Sequence, residues 1–256
     1  MSDELLAAVV RAIDESVARQ TDEIRRMVEL LRLDVRSLEW RARRSLTYAS
    51  DAAAAATSAA YLHEHMQGAT PMPHRLLTLD HALSRATDVD GMALEFGVYR
   101  GETLARIAEA RGGRPVHGFD SFQGLPEFWL PDHQAGRFGP DDPAGVQGPP
   151  EVPGAELVVG WFDQTLPGFL ETHPGPVAFL HVDCDLYSST TTVLEHVGPR
   201  LVPGSVVVFD EFFNYPGWRG HEFRAWQEYV EKSGTAFSYL AYTEDAVSVS
   251  VRIDEI

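Results

Sequence analysis

Two pairs of carboxylates follow consecutive apolar segments in the second half of the sequence. Asp183 and Asp185 close the first segment, and Asp210 and Glu211 close the second. Parallel strands of an open α/β sheet present their carboxyl ends at one edge, so we expect these acids to converge there. Converging carboxylates repel each other unless a cation lies between them, and oxygen ligands suit Mg²⁺. Helix capping and turn hydrogen bonds are the alternative interpretation of the same acids.

A glycine turn earlier in the chain has the composition of a ligand-binding loop. The apolar segment 92–96 runs into Gly97 and Gly101, and a helix-forming segment follows. Glycines let the backbone approach a ligand, and the N terminus of the helix points at it. The pattern lacks the third glycine of a dinucleotide fingerprint and the Gly-Lys-Ser/Thr of a triphosphate loop. Glu95, at the strand tip, suits a ligand that carries an ammonium group. A plain turn would use the same glycines.

The next predicted strand ends in an acid that suits a nucleoside. Asp120 closes residues 116–120. It lies about twenty residues after the glycine turn, where such folds place the acceptor of two ribose hydroxyls. A helix cap or a turn is its alternative role. Together with Glu95 and the glycines, Asp120 describes a site for a nucleoside with a zwitterionic tail. S-adenosylmethionine (SAM) fits that description.

The order of predicted elements indicates an α/β fold. Segments that resemble strands alternate with segments that resemble helices, and residues 237–242 and 246–253 resemble a closing antiparallel pair. We therefore expect a Rossmann-like, mostly parallel seven-stranded sheet with helices on both faces. A Pro- and Gly-rich stretch at 121–154 is long enough to be a lid or binding loop. The other predicted strands are 92–96, 116–120, 156–160, 176–183 and 205–210, and the predicted helices are 51–60, 74–85, 103–110, 164–172, 189–200 and 220–232.

The N-terminal segment has a different pattern from the rest of the chain. Apolar residues recur with a seven-residue period and a second row interleaves with them, which is typical of a coiled coil. The first row is Val10, Val17, Ile24, Leu31 and Leu38, and the second is Ile13, Gln20, Met27 and Asp34. We predict a helical, coiled-coil segment over residues 1–69, an α/β domain over 70–256 and a homo-oligomer. One amphipathic helix packed on its own domain is the alternative.

Composition and charge restrict the partners and the environment that we expect. The 256 residues carry a net charge of −17, which disfavours binding to nucleic acid or to a membrane through a basic helix. Cys184 is the only cysteine, so neither an intramolecular disulfide nor a cysteine-based zinc site is expected. With neither a signal peptide nor an apolar run of membrane-spanning length in the sequence, we expect a cytoplasmic protein.

Five ordered segments of the chain resemble one known family. They are LEFGVYRGETL, GFDSFQGLPE, GWFDQTLP, HVDCDLYSSTTTVL and VPGSVVVFDEFFNYPGWRGHEFRAWQEY. Between residues 73 and 256 the sequence is similar to the macrocin O-methyltransferase family, whose members are class I SAM-dependent enzymes that methylate sugar hydroxyls on natural products. The resemblance does not extend to the N-terminal heptads. It implies SAM as the cofactor, Mg²⁺ as a second one, and a small glycosylated molecule as the acceptor.

The resemblance also implies roles for individual residues. The methionine part of SAM would be lined by Glu95, Gly97, Tyr99 and Gly101, the ribose held by Asp120 and Ser121, and the adenine flanked by Gly160, Trp161 and Phe162. Asp183 would be both a metal ligand and the base, and Asp210 and Glu211 the remaining metal ligands. Relatives carry Asp-Asp or Asp-Asn where this chain has Asp210-Glu211. His221 is a second candidate for the base.

Two other functions use the same residues differently. A metal-assisted hydrolase would need the four acids and a water, but would not need Glu95 or Asp120. A non-catalytic interaction protein would use the coiled coil and keep the α/β domain as a relic. Binding of SAM separates the methyltransferase from both alternatives.

Overall fold

The computed structural model describes residues 3–256, and the chain divides into two compact units, residues 1–53 and 54–256. The first unit contains a 42-residue helix, α1 (Asp3–Arg44), and the start of α2 (Leu46–His65). Apolar side chains of both heptad rows are 49% to 62% exposed along α1. α1 is therefore a helix with many exposed apolar side chains, and the coiled coil that they would form stays a prediction.

An eight-stranded mixed sheet forms the second unit. Its strand order is β1-β7-β8-β6-β5-β2-β3-β4, and every neighbouring pair is parallel except the two that involve β8. The strands are β1 (Thr70–Met72), β2 (Met92–Phe96), β3 (Val116–Asp120), β4 (Glu156–Val159), β5 (Val177–Val182), β6 (Val206–Phe209), β7 (Ala236–Thr243) and β8 (Val249–Glu255).

The structure confirms the Rossmann-like fold class and adds one strand to the seven predicted. The extra strand is β1, which lies where the sequence predicts only a break. Pro71 cannot donate to a ladder, but β1 pairs only with β7 and so leaves one side unpaired, the kind of position that tolerates proline. Repeated prolines therefore predict the end of a helix here but hide a short edge strand.

Helices cover both faces of the sheet. Leu79 and Leu104 belong to a core cluster on one face with Ala93 and Phe179, whereas the opposite core contains side chains of α5, α6 and α7. These helices are α3 (Arg75–Arg85), α4 (Glu102–Arg111), α5 (Phe162–Thr172), α6 (Tyr187–Val197) and α7 (Glu222–Ser233). In the part of the chain that the structure describes, no helix has both the length and the apolar character needed to cross a membrane.

The strand order reverses between β2 and β5. After β2 the chain continues outward through β3 and β4, and then returns to place β5 on the other side of β2. Gly97 follows β2 with φ +91°, and a Cβ there would lie 1.7 Å from the carbonyl oxygen of Asp183. Only glycine permits this approach of the two strand ends. Open α/β sheets bind ligands in the crevice beyond such a reversal.

Candidate active site

A cavity of about 760 Å³ opens at the carboxyl ends of the strands, at the reversal point. Its size falls within the range of small-molecule sites, roughly 300–1,000 Å³. Its walls come from the turns after β2, β3, β5 and β6, from the start of α5 and from the loop over 121–154. Lining residues include Arg75, Gly97, Tyr99, Asp120, Ser121, Trp129, His133, Phe138, Trp161, Phe162, Asp183, Asp185, Asp210 and Glu211.

Asp120 organises the glycine turn from inside. Its Oδ2 accepts hydrogen bonds from the backbone N–H groups of Val98 and Tyr99, both at 2.9 Å. Its Oδ1 accepts from the Phe122 N–H at 2.7 Å. A carboxylate has about four lone-pair positions, so three bonds leave one acceptor direction. Asp120 therefore has the turn role offered as its alternative, and it also borders the cavity.

Tyr99 ties the glycine turn to the long loop. It has φ +51°, and its hydroxyl donates to the carbonyl oxygen of Ala144. Its ring meets that of Phe138 edge-on, with centroids 5.7 Å apart. Within the loop, Asp142 accepts from two backbone N–H groups and pairs with Arg137 at 2.9 Å. The loop is thus an ordered wall of the cavity.

Glu95 does not line the cavity. It is fully buried, and its Oε1 lies 2.7 Å from His181 Nδ1 on β5. Its Oε2 has no hydrogen-bond partner among the described residues. The direct contact with the methionine part that the sequence predicts is therefore not the arrangement here, because the side chain turns into the sheet's core. His181 is the satisfied core histidine that its position in a strand suggests.

Two of the predicted glycines shape the site without lining the cavity. Gly101 precedes α4 with φ +79°, and Gly160 follows β4 with φ +144°. The Gly160 N–H donates to the Asp120 carbonyl oxygen at 2.9 Å, which extends the β3–β4 pairing by one residue. The next residues, Trp161 and Phe162, reach the cavity as aromatic walls, and Ser121 borders it from the end of β3.

Three carboxylates converge beyond β5 and β6. Asp183, Asp185 and Glu211 each offer an oxygen, and these oxygens all lie within 4.8 Å of one another. The backbone of Asp185 adopts the left-handed conformation, with φ +63°. The sequence predicts Asp210 as the third member instead. The structure differs because Arg75 Nη1 donates to Asp210 Oδ2 at 3.1 Å and the Ser248 hydroxyl donates to Oδ1 at 2.8 Å.

The environment of these acids opposes their negative charge. Burial, and then the charges of Asp210, Asp185 and Glu95, raise the pKa of Asp183 well above its ordinary value. Burial and Asp210 raise the pKa of Asp185 to about 7, and a hydrogen bond with Glu211 opposes that shift.

Glu211 and Glu222 complete the acidic group. Burial, reinforced by neighbouring acids, raises the pKa of the Glu211 carboxyl well above its usual range, and its Oε2 has no hydrogen-bond partner among the described residues. The fully buried Glu222 accepts the Glu211 N–H at 3.0 Å. Among the described residues, Arg75 is a cationic neighbour of this group, and its ion pair is with Asp210. The site is therefore short of positive charge.

His221 lies away from the cavity. It immediately precedes α7, and its ring contacts those of Trp129 and Tyr215, with centroids 6.3 and 6.0 Å away. Burial lowers the pKa of His221. Because the ring does not border the cavity, the structure does not support His221 as the base. The neighbouring aromatic residues Phe212, Phe213, Tyr215 and Trp218 are buried core.

Sequence reasoning missed Arg75 and the loop aromatics as site residues. Arg75 lies 135 positions before its partner Asp210, and nothing local to either residue signals the pair. Trp129, His133 and Phe138 come from a stretch without periodicity, so only the density of aromatic residues could have indicated a binding wall.

Known proteins are similar to this chain over the part that builds the site. A family model described as "Methyltransferase domain" matches residues 94–212, a range that contains both the glycine turn and the carboxylate cluster. The chain is 30% identical to the mycinamicin III 3''-O-methyltransferase of Micromonospora griseorubida, over 61% of this chain and 73% of that enzyme. The chain belongs to the macrocin O-methyltransferase family.

The chain is also similar to three other methyltransferases. The 8-demethyl-8-(2,3-dimethoxy-alpha-L-rhamnosyl)-tetracenomycin-C 4'-O-methyltransferase of Streptomyces olivaceus is 34% identical, and the match covers 50% of this chain and 55% of that enzyme. The crystal structure of CalS11, a calicheamicin methyltransferase, matches with TM-score 0.56 and 28% identity over 69% of this chain and 77% of that one. The O-methyltransferase NovP matches with TM-score 0.50 and 25% identity, over 69% and 79%.

Proposed function

We propose that this protein transfers a methyl group from SAM to a sugar hydroxyl of a glycosylated small molecule, with a divalent cation at the carboxylate cluster. The observation that carries the proposal is the cluster itself. Asp183, Asp185 and Glu211 converge on the wall of the cavity whose other half is built by the glycine turn and Asp120. The Streptomyces olivaceus and Micromonospora griseorubida relatives are named as O-methyltransferases, and the first name includes a rhamnosyl group in the substrate.

The nucleoside half of the cavity fits SAM. Asp120 and Ser121 lie where a ribose would meet polar groups, and Trp161 and Phe162 offer aromatic surfaces to an adenine. Gly97 lies against the end of β5 at Asp183, and Tyr99 lines the same cavity, so the methionine part would extend along the glycine turn. Once bound, SAM supplies a methyl group that its sulfonium has already activated. The protein's own task is to position the acceptor and to remove its proton.

The carboxylate cluster fits Mg²⁺. All its donors are oxygens, and the buried Glu211 Oε2 lacks a hydrogen-bond partner among the described residues. Asp210 belongs to the predicted ligand set, but here it is held by Arg75 and Ser248 and so supports the cluster from beside it. A bound cation would lower the pKa of an acceptor hydroxyl and compensate the surplus negative charge.

Asp183 is the residue that we assign to proton removal. Its carboxylate lies at the cavity wall and belongs to the cluster, so it can take the proton of an acceptor hydroxyl that is positioned there. Asp185 and Glu211 hold the neighbouring positions of the cluster. The loop residues Trp129 and Phe138 form the remaining wall, where a sugar ring could stack on an aromatic face.

We also propose that α1 makes the protein a homo-oligomer, most simply a dimer. A seam of apolar residues with a seven-residue period is stable only when another helix covers it. These side chains are exposed along α1, and an exposed apolar strip of that length favours association. Gln20 and Asp34 interrupt the seam and would favour one register over others.

The experiment that tests the methyltransferase proposal measures transfer of a labelled methyl group. The protein is incubated with radiolabelled SAM, Mg²⁺ and a panel of deoxysugar-bearing glycosides, with the matching aglycones as the control acceptors. We expect label in at least one glycoside and none in its aglycone. Binding of S-adenosylhomocysteine (SAH), measured by thermal shift, is the separate test of cofactor recognition. A protein without any SAH response that hydrolyses the glycosides would instead be a metal-assisted hydrolase.

A further inference from the structure

A second cluster of metal-binding side chains lies at the opposite ends of β3 and β4. His117 and Glu156 face each other across the parallel pairing of these strands, near where each strand begins. His173 follows α5 and lies against both. Each residue offers a ligand atom, and these atoms all lie within 4.8 Å of one another. The pocket of the proposed methyl transfer opens at the other ends of the same strands.

His117 is a buried imidazole without a partner. Its side chain is 6% exposed, and among the described residues neither ring nitrogen has a hydrogen-bond partner. The nearest acidic atom is Glu156 Oε2, which lies 3.6 Å from Nδ1 and is too far away for a hydrogen bond. Buried polar groups are nearly always satisfied, so an unsatisfied imidazole aimed at two other ligand side chains requires an explanation.

His173 is already oriented as a metal ligand. Its Nδ1 lies 3.0 Å from the Phe169 carbonyl oxygen, and its ring stacks on that of Phe169 with centroids 4.1 Å apart. When Nδ1–H donates to this carbonyl, the lone pair is on Nε2. Metal-bound histidines commonly donate their other N–H to a carbonyl or a carboxylate in this way, which fixes the tautomer and the ring orientation.

We propose that His117, His173 and Glu156 bind a divalent transition-metal ion, of which Zn²⁺ is the best match. Two imidazoles and a carboxylate are a donor set that zinc uses, whereas Mg²⁺ prefers oxygen alone. Ligands of a tetrahedral zinc lie about 3.4 Å apart, given Zn–N and Zn–O distances near 2.1 Å. The His117–Glu156 separation of 3.6 Å already approaches that value, and Glu156, whose side chain is 79% exposed, is free to rotate. Solvent at Glu156 supplies the fourth ligand.

The ion would hold the edge of the sheet together. It would tie β3, the edge strand β4 and the end of α5, and β4 leads directly to Trp161 at the cavity. His117 precedes Asp120 by three positions on β3, so the proposed metal site lies about 10 Å along the strand from the nucleoside end of the cavity. The metal therefore has a stabilising role and leaves the carboxylate cluster to Mg²⁺.

Zinc titration of the full-length, metal-stripped protein in saturating Mg²⁺ tests this site. Mg²⁺ occupies the carboxylate cluster, and calorimetry then counts the Zn²⁺ that still binds. We expect one Zn²⁺ per chain and a rise in melting temperature, because a ligand of the native state alone stabilises it. The variant Asp183→Asn should bind this Zn²⁺ as wild type does.

Substitutions within the cluster decide the assignment. His173→Gln, and the volume-filling His117→Phe, should each weaken Zn²⁺ binding at least tenfold and abolish the melting shift, while SAH still raises the melting temperature of a folded variant. Glu171→Gln removes a carboxylate from the last turn of α5, two positions before His173, and this variant should bind Zn²⁺ as wild type does. Unchanged Zn²⁺ affinity in either histidine variant, or no Zn²⁺ bound in saturating Mg²⁺, would overturn the proposal.

Discussion

The tip of β3 and the tips of β5 and β6 carry the same kind of residue in opposite circumstances. Asp120, at β3, accepts hydrogen bonds from three backbone N–H groups, so the fold has already satisfied its charge. Asp183 and Glu211 lie close to other acids, and Arg75, a cationic neighbour among the described residues, forms its ion pair with Asp210. Glu211 Oε2 also lacks a partner there. The contrast shows that backbone amides, rather than the residue type, decide what an acid at a strand tip can do.

This contrast separates stability from activity. Asp120 stabilises the folded turn whether or not a ligand is bound, because its partners are part of the fold. The acids beyond β5 and β6 destabilise the fold through mutual repulsion until a cation or a proton compensates them. Substitutions at the two places should therefore change stability in opposite directions, and each prediction below tests one part of that difference.

The largest effect is expected from Asp183→Asn. Loss of the base should lower turnover by about 10²–10⁴-fold. The same change removes one of several repelling charges, so the melting temperature in EDTA should rise, and SAH should still bind. Turnover and unfolding measured on the same preparation check both parts. Asp88→Asn, at an exposed acid before β2, is the control and should leave turnover unchanged. A destabilised but active Asp183→Asn would reverse the comparison.

Removal of divalent cations should have the next largest effect. We expect chelation with EDTA to lower turnover by about 100-fold and added Mg²⁺ to restore it. Glu211→Gln should lose the response to Mg²⁺, whereas Glu211→Asp should keep or raise activity because it keeps a carboxylate ligand and has the shorter side chain that the sequence resemblance implies at this position. Initial rates against Mg²⁺ concentration provide the measurement. Full activity in EDTA would leave the acids as base and orienting groups without a cation.

Asp120→Ala should destabilise the glycine turn and so weaken cofactor binding in the nucleoside half of the cavity. Three backbone N–H groups lose their acceptor, which should cost about 1–3 kcal/mol of unfolding free energy and weaken SAH binding at least about tenfold. Asp120→Asn keeps the shape and one acceptor oxygen, so its effect should be smaller in both measurements. Urea unfolding and SAH titration check the pair. An alanine variant with normal stability and normal SAH affinity contradicts the role assigned to Asp120.

The pH dependence of stability should show the repulsion directly. Burial raises the carboxyl pKa values of Asp183, Asp185 and Glu211, to about 7 for Asp185. Between the ordinary values near 4 and these raised values, the folded protein binds more protons than the unfolded chain does. The unfolding free energy in EDTA should therefore fall as pH rises from about 4 to 7. Urea titrations test this, with Mg²⁺ reducing the fall and Asp185→Asn flattening it.

The smallest effect on the site is expected from removal of residues 1–44. The exposed heptad rows should lose their partner helix, so light scattering should report a lower assembly state. SAH affinity should stay within about threefold, a change of less than 1 kcal/mol. A monomeric intact protein at micromolar concentration would exclude the coiled coil and favour a helix packed on its own domain.

The sequence predicts most of the sheet well because β2 to β6 are short, mainly apolar runs that end in, or are followed directly by, a glycine or an acid. It cannot predict which acids meet. Asp185 lies beside Asp183 and Glu211 with its own backbone in the left-handed region. Asp210 is instead hydrogen-bonded to Arg75, which belongs to a helix far away in the sequence. Glu95 pairs with His181 because β2 and β5 are neighbours in the same register, a relation that only the strand order reveals. The three residues of β1 have no strand pattern strong enough to outweigh the prolines in and beside them, which predict a break.

A crystal structure of the protein with SAH and Mn²⁺, recorded with the anomalous signal of manganese, tests the central claim most directly. Mn²⁺ accepts the oxygen ligands that suit Mg²⁺ and marks its own position. The account predicts an anomalous peak between Asp183, Asp185 and Glu211, with SAH beside Asp120 and Trp161, and none at the tip of β3. SAH bound in place with no manganese among the three carboxylates would contradict it.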